Sequence, residues 1–240
     1  MNPENELAKI HLSVDCTVLG FNGNQLEVLL IRRTGEEGGQ AFHDMKLPGS
    51  LILDKEELDD AARRVLSELT GLKNIPLRQF RAFGSMDRTK DPKDVHWLEH
   101  AQKAHVHRIV TVAYMALVKI GRAIIRDMDE SEALWMPVDN LPSLAFDHNE
   151  IIAAAVDHLR TDAAMDPSIL YALLPRKFTV TQLRNLYEVV FGTRLDPANF
   201  YKKMTQMPYV VALDEREKGV AHRAARYFRF DKTIYNKSRL

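Results

Sequence analysis

The sequence predicts an α+β chain of two domains, a sandwich of mixed strands and helices followed by a small winged helix-turn-helix domain. Three observations carry this. HLSVDCTVLGF reads as a strand and RIVTVAYMALV, an almost unbroken apolar run, as a buried strand, while Glu57 to Leu69 spaces its apolar residues three and four apart and marks a helix. The last third strings together three short helical segments and a hairpin. Charge divides in the same place: Leu173 to Leu240 holds 14 Lys+Arg and 6 Asp+Glu, a net of +8, whereas Met1 to Ala172 holds 19 and 27, a net of −8. The expected boundaries are a first domain over 1–160, a linker over 161–170 and a second domain over 171–240.

Taken in order, HLSVDCTVLGF, the turn NGNQ and LEVLLIRR read as a hairpin. TGEEGGQAFHD reads as a Gly-rich loop. In the following helix Leu58, Ala61, Ala62, Val65, Leu66 and Leu69 share one face, and Gly71 is placed to stop it in the left-handed region. LRQFRAFGSM and RIVTVAYMALV read as strands, separated by a polar insertion from Asp87 to His107. SEALWMPVDNLP supplies a further short strand, and DHNEIIAAAVDHLR an amphipathic helix. Past the linker, PSILYALLP is a short apolar helix. Thr179 with Gln182 forms a capping box and Phe178 with Leu183 a hydrophobic staple, so a second helix starts there and runs to Gly192. Asp196 as N-cap and Pro197 at the first helical position start a third, running to about Met207 with Phe200 and Met204 inward. YVVALD, EREKG and AARYFRF complete a two-stranded wing.

Composition excludes several classes. A chain of 240 residues with 45% hydrophobic and 28% charged residues reads as a soluble globular protein. The single cysteine, Cys16, excludes an internal disulfide framework and reads as a buried inert thiol, which fits a cytoplasmic setting. The polar N-terminus MNPENELAKI is unlike a secretory signal, and no apolar run approaches the roughly 18 residues of a membrane span. The basic tail beside an acidic body points to a polyanion partner.

Cleaving a diphosphate requires divalent metal held by oxygen ligands, and a helix gathers carboxylates at spacings of three and four. Residues 48–72 resemble a Nudix box, G-x5-E-x7-R-E-U-x-E-E-x-G-U with U apolar. Glu56 matches its early glutamate, Arg64 its arginine, Leu66 the apolar position, Glu68 the first paired glutamate and Gly71-Leu72 the ending. Ser50 stands in place of the first glycine, Val65 replaces the glutamate after the arginine, and Leu69 replaces the second paired glutamate. Of the three glutamates this resemblance assigns to metal, only Glu68 survives. Together with WMPVDNLPSLAFDHNEII and LLPRKFTVTQLRNLYEVVFGTRLDPANFYKKM, the chain is similar to the Nudix-related transcriptional regulators. These join a Nudix-like α/β/α sandwich to a C-terminal winged helix and sense ADP-ribose or pentoses.

The resemblance implies a DNA-binding regulator, a repressor or dual regulator, with a catalytically inactive sensor and no cofactor. Its effector is expected to be a free sugar such as arabinose; the alternatives are ADP-ribose or another NAD metabolite, and an active Nudix hydrolase. Lys46, Glu56, Arg64, Glu68, Arg81 and Asp87 are the candidates for the effector pocket, although Arg64 and Glu68 also read as a plain i,i+4 ion pair. Operator DNA would meet Asn199, Lys202, Lys203 and Gln206 on the third helix of the tail, and Arg216, Lys218, His222, Arg223 and Arg226 in the wing. A lone winged helix has a small footprint, which favours a homodimer. His96, His100, His105 and His107 crowd the insertion but have no cysteine beside them, so a surface helix, dimer contact or pocket cover outweighs metal binding. Trp97 in the same segment suits packing or stacking on a sugar ring.

Overall fold

The structure is a computed structural model that describes residues 9–102, 105–106, 108–120, 133–220 and 224–238. Its packing divides into two units: Met1–Val18, Val28–Ala116 and Gly121–Ala155 form the first, and Leu19–Glu27, Leu117–Ile120 and Val156–Leu240 the second. Among the described residues no helix is long and apolar enough to cross a membrane.

Strands β1 (Ile10–Phe21), β2 (Leu26–Glu37), β3 (Gln40–Lys46), β4 (Gly49–Leu51), β5 (Arg78–Phe83), β6 (Arg108–Lys119) and β7 (Ala133–Pro137) form one sheet. Its main path is β3-β2-β1-β6-β5, with β4 paired to β1 and β7 to β2. The strands form where β-branched and aliphatic residues recur, and nine consecutive residues of β1, Ser13 to Phe21, are buried. The expected Gly-rich loop is a correction. TGEE and QAFHD continue as paired strands, with Glu37 opposite Gln40 across a two-residue turn. Gly38 and Gly39 both take positive φ, 58° and 79°, which such a tight turn demands.

Helix α1 (Leu58–Thr70) buries Ala61, Ala62, Val65, Leu66 and Thr70. Its apolar face packs on Val14, Cys16, Val112 and Tyr114 of β1 and β6. Asp59 and Asp60 in its first turn complement the helix dipole, and Gly71 ends it at φ 72°. The polar insertion is ordered over much of its length: a 3-10 turn at Met86–Thr89 leads into α2 (Pro92–Gln102). His107 lies outside the described residues. Helix α3 (His148–Met165) runs through the first half of the stretch expected as a linker, and Pro167–Ala172 follows as a 3-10 turn. The reason is that Leu159 and Ala163 stay on the buried face of α3, so its apolar spacing carries past residue 160.

In the second unit, α4 (Val180–Phe191) starts at the expected capping box. Thr179 Oγ1 accepts from the Gln182 amide at 3.3 Å, and Gln182 Oε1 accepts from the Thr179 amide at 2.9 Å. Asp196 caps α5 (Pro197–Thr205) by accepting from the Asn199 amide at 2.8 Å, and Phe200 and Met204 turn inward. The wing has three strands rather than two. β8 (Phe178–Thr179) pairs with β10 (Arg226–Phe230), which pairs with β9 (Val210–Arg216). Two residues are too few to show alternation, so only the tertiary pairing reveals β8. A terminal helix, α6 (Lys232–Ser238), was not expected; at seven residues it shows little periodicity. Asp231 Oδ1 accepts from the Thr233 and Ile234 amides, and the Tyr235 hydroxyl donates to Asp166 at 2.6 Å.

Candidate functional site

The first unit contains a groove of about 450 Å³, within the size range of small-ligand pockets. Ile31, Arg32 and Thr34 of β2, Lys46 of β3, Gly49 and Ser50 of β4, Val65, Glu68 and Leu69 of α1, and Trp97 and Ala101 of α2 line it. The box therefore folds so that Val65, Glu68 and Leu69 border one concave surface, and two of those three positions are aliphatic. Val65 is fully buried in the core under α1, while Leu69 packs half-exposed against the same cluster. Among the described residues no group of three or more His, Cys, Asp or Glu is disposed to hold a metal ion. The residues present do not fit the divalent site that a hydrolytic box requires.

The other box residues form a clamp. Arg64 donates to both oxygens of Glu56, at 2.6 and 2.8 Å, to Glu68 at 3.3 Å and to the Leu51 carbonyl at 3.3 Å. Glu56 also accepts from the Leu53 amide at 3.0 Å. The hydrogen bonds from Arg64 hold Glu56 down at about 2. Arg64 thus ties the loop before α1 to α1 itself.

Lys46 lies at the bottom of the groove, 5% exposed. Its ammonium donates to the carbonyls of Leu47 and Gly49 at 3.1 and 2.9 Å and lies 5.6 Å from the centre of the Trp97 ring. Burial pushes this lysine down to about 8, against the opposing pull of Asp15. It also borders a second, small cavity of about 30 Å³ whose lining includes Asp15, Arg88 and His148. Arg88 bridges Asp15, at 2.6 Å, and Asp147. His148 Nδ1 accepts from the Leu47 amide at 2.9 Å, which leaves the ring proton on Nε2, 3.4 Å from Asp15. Burial pushes His148 down, so it is neutral near pH 7. Burial opposes the charge on Asp15, but the Nε2 proton of His148 and the guanidinium of Arg88 outweigh it and hold the carboxyl well below the usual range. With His148 neutral, Arg88 is the cation that matters. A side chain at Gly49 would strike this cluster, since its Cβ would lie 1.8 Å from Asp15 Oδ1.

The α2 wall is fixed by a second buried cation. Arg33, wholly inaccessible, donates to Asp44 at 2.7 and 2.6 Å and to Asp94 at 2.5 Å. Its guanidinium carbon lies 5.1, 5.3 and 5.5 Å from the ring centres of Phe42, Trp97 and Phe146. Trp97 Nε1 donates to the Thr34 carbonyl at 3.2 Å, which sets the indole against the groove.

Of the expected effector residues, the structure brings Lys46 and Glu68 into the groove, and sets Glu56 and Arg64 beside it as a clamp. Arg81 and Asp87 line neither cavity. Arg81 is exposed on β5 over the Phe83 ring, and Asp87 is exposed in the 3-10 turn. Both sit on elements whose position relative to α1 no local spacing reveals. Asp15, Arg33, Arg88, Asp94 and His148 were missed. The available signal was a charge inside an apolar strand, as in SVDCTV and LLIRR, where a buried partner is required. His96 contacts Glu37 at 3.0 Å and His105 contacts Glu99 at 2.5 Å, so these histidines meet carboxylates.

In the second unit Asn199, Lys202, Lys203 and Gln206 are all exposed along α5 and its C-cap. Tyr201 on the same helix is 51% exposed. Lys218 is exposed at the wing tip, while Arg216 donates to the Ala224 carbonyl at 3.2 Å. Arg226 is engaged with Asp214 and the Leu213 carbonyl, which leaves it less available to phosphate than expected. His222 and Arg223 lie outside the described residues.

The comparisons with known proteins agree with the two-domain fold. The NUDIX domain family matches residues 9–157, and the NrtR DNA-binding winged helix domain matches residues 170–230. The chain is 28% identical over 223 residues to the ADPR responsive transcriptional repressor NtrR of Acinetobacter baylyi, covering 91% of this chain and 81% of that protein. It is 30% identical over 144 residues to the ADP-ribose pyrophosphatase of Methanocaldococcus jannaschii, covering 60% of this chain and 74% of that protein. The fold is shared with the crystal structure of Shewanella oneidensis NrtR complexed with a 27mer DNA, at a TM-score of 0.66, 23% identity, and coverage of 92% and 93% of the two chains.

Proposed function

The chain belongs to the Nudix domain family and ends in an NrtR-type winged helix domain; on that premise we propose that it is a DNA-binding transcriptional repressor whose Nudix domain binds ADP-ribose as an effector without cleaving it. The expectation of a free sugar such as arabinose gives way here, because the relative similar over nearly the whole chain is an ADPR responsive repressor. The observation that carries the non-hydrolytic part is the groove in which Val65 and Leu69 stand where a hydrolytic box has carboxylates. One remaining carboxylate, Glu68, cannot assemble the oxygen ligands that activate water on a metal.

In this reading residues 1–160 sense the effector, 161–170 join the domains and 171–240 hold operator DNA. Asn199, Lys202, Lys203 and Gln206 enter the major groove, and Lys218 with Arg223 grips flanking phosphate. A cytoplasmic homodimer would place two such helices on a two-fold site. ADP-ribose alters operator affinity because it binds one arrangement of the dimer better than the other.

Duplexes selected by the protein from a random pool, then titrated in a gel shift, test the proposal. ADP-ribose should change the midpoint at least fivefold, and arabinose should leave it unmoved. The similarity to an ADP-ribose pyrophosphatase, with Glu56, Arg64 and Glu68 retained, favours a second reading as an active hydrolase. Release of AMP from ADP-ribose with magnesium, abolished by Glu68→Gln, would establish that reading instead.

A further inference from the structure

The groove and its box disagree about metal. A hydrolytic Nudix site places carboxylates at positions 65, 68 and 69, and the divalent ion they hold then meets the diphosphate. Among the described lining residues the only carboxylate is Glu68, and it is drawn towards Arg64 at 3.3 Å. The same lining carries two cations. Lys46 is buried at the bottom, and Arg32 is exposed with no ion-pair partner among the described residues. The side chains of Ile31 and Leu69, with the Trp97 ring, supply apolar surface beside them. A lining with two positive charges and one negative charge attracts a dianion unaided. One with the two missing carboxylates restored would repel it until a divalent ion entered.

We infer that the groove takes the diphosphate of its ligand onto side-chain cations alone, Lys46 at the bottom and Arg32 at the edge, with no divalent ion between. This rests on the ADP-ribose reading above and adds its charge chemistry: effector binding is independent of magnesium, so the protein responds to the nucleotide diphosphate and not to the supply of metal. Losing Glu at positions 65 and 69 then has two consequences at once. It removes the means of hydrolysis, and it frees the site from the ion that hydrolysis required.

Titration calorimetry of the full chain with ADP-ribose, once in EDTA and once in millimolar magnesium, decides the matter. Equal Kd within about twofold is expected. Binding seen only with magnesium, or tightened tenfold or more by it, overturns the inference while leaving ADP-ribose as the effector. Absence of binding in both buffers overturns the functional reading itself, and this inference with it. Two variants sharpen the result. Arg32→Gln, at an exposed position, should weaken binding about tenfold in either buffer, and unchanged affinity counts against a direct cation contact. Leu69→Glu, at a half-exposed position, should weaken binding in EDTA and recover part of it in magnesium. Affinity unchanged in EDTA would count against the inference, since a carboxylate in the lining should repel the diphosphate.

Discussion

Replacing Arg33 with methionine should unfold the first unit far more readily than a change at most surface arginines. The guanidinium is wholly inaccessible, and the side chain of Asp94 is only 5% exposed. Without Arg33, Asp94 keeps one hydrogen bond, from the Phe146 amide at 2.8 Å. Breaking one partner out of a buried pair typically costs about 3–5 kcal/mol, because the remaining charge is stranded. The guanidinium's contacts with Phe42, Trp97 and Phe146 are lost as well, worth about 0.5–2 kcal/mol in such settings. The two losses overlap, so a total of about 4 kcal/mol is expected, or a fall of about 8–16 °C in the melting of that unit. Urea unfolding followed by tryptophan fluorescence is the assay, since Trp97 lies against the cation. The double variant Arg33→Met/Asp94→Asn should recover about 2 kcal/mol by removing the stranded charge. A loss below about 1 kcal/mol, or strict additivity of the two substitutions, would refute the argument.

Three further outcomes follow from the geometry. Glu56 titrates near 2 when folded against an ordinary 4.5, so its contribution is complete above 4.5 and disappears as pH falls towards 2. Glu56→Gln should therefore cost about 1.5–3 kcal/mol at neutral pH and flatten the stability profile below 4.5, measured by urea midpoints across that range. Gly49→Ala would press its methyl group into Asp15, which Arg88 holds in place; a loss of about 1–3 kcal/mol and weakened ADP-ribose binding are expected by calorimetry. Lys202→Ala with Lys203→Ala should weaken DNA binding and reduce the slope of log K against log salt by about 1–2, and an unchanged slope would remove α5 from the interface.

Much of this molecule is legible in its sequence. Thr179 with Gln182, and Asp196 with Pro197, specify helix starts through bonds spanning three residues, and the structure has both. Gly71 ends α1 for an equally local reason. The pattern from Glu56 to Leu72 named the helix that borders the groove, and the substitutions at 65 and 69 were visible as letters. The turn at Gly38–Gly39 is equally local, but TGEE and QAFHD lack the apolar alternation that marks strands, so the stretch reads as a loop until the pairing of Glu37 with Gln40 is seen.

What the chain determined alone were its local elements, their caps and the chemical identity of the box, because those depend on neighbours within one turn or one pleat. Tertiary structure alone decided which charges meet. Arg33 reaches Asp94 across 61 residues, Arg88 reaches Asp15 across 73, and His148 reaches Leu47 across 101. It also sent Arg81 and Asp87 to the surface and brought Trp97 to the groove, since a charged or aromatic side chain carries no local mark of the element that will cover it. Ion pairs and pocket walls arise from the packing of whole elements, and there the reach of periodicity and spacing ends.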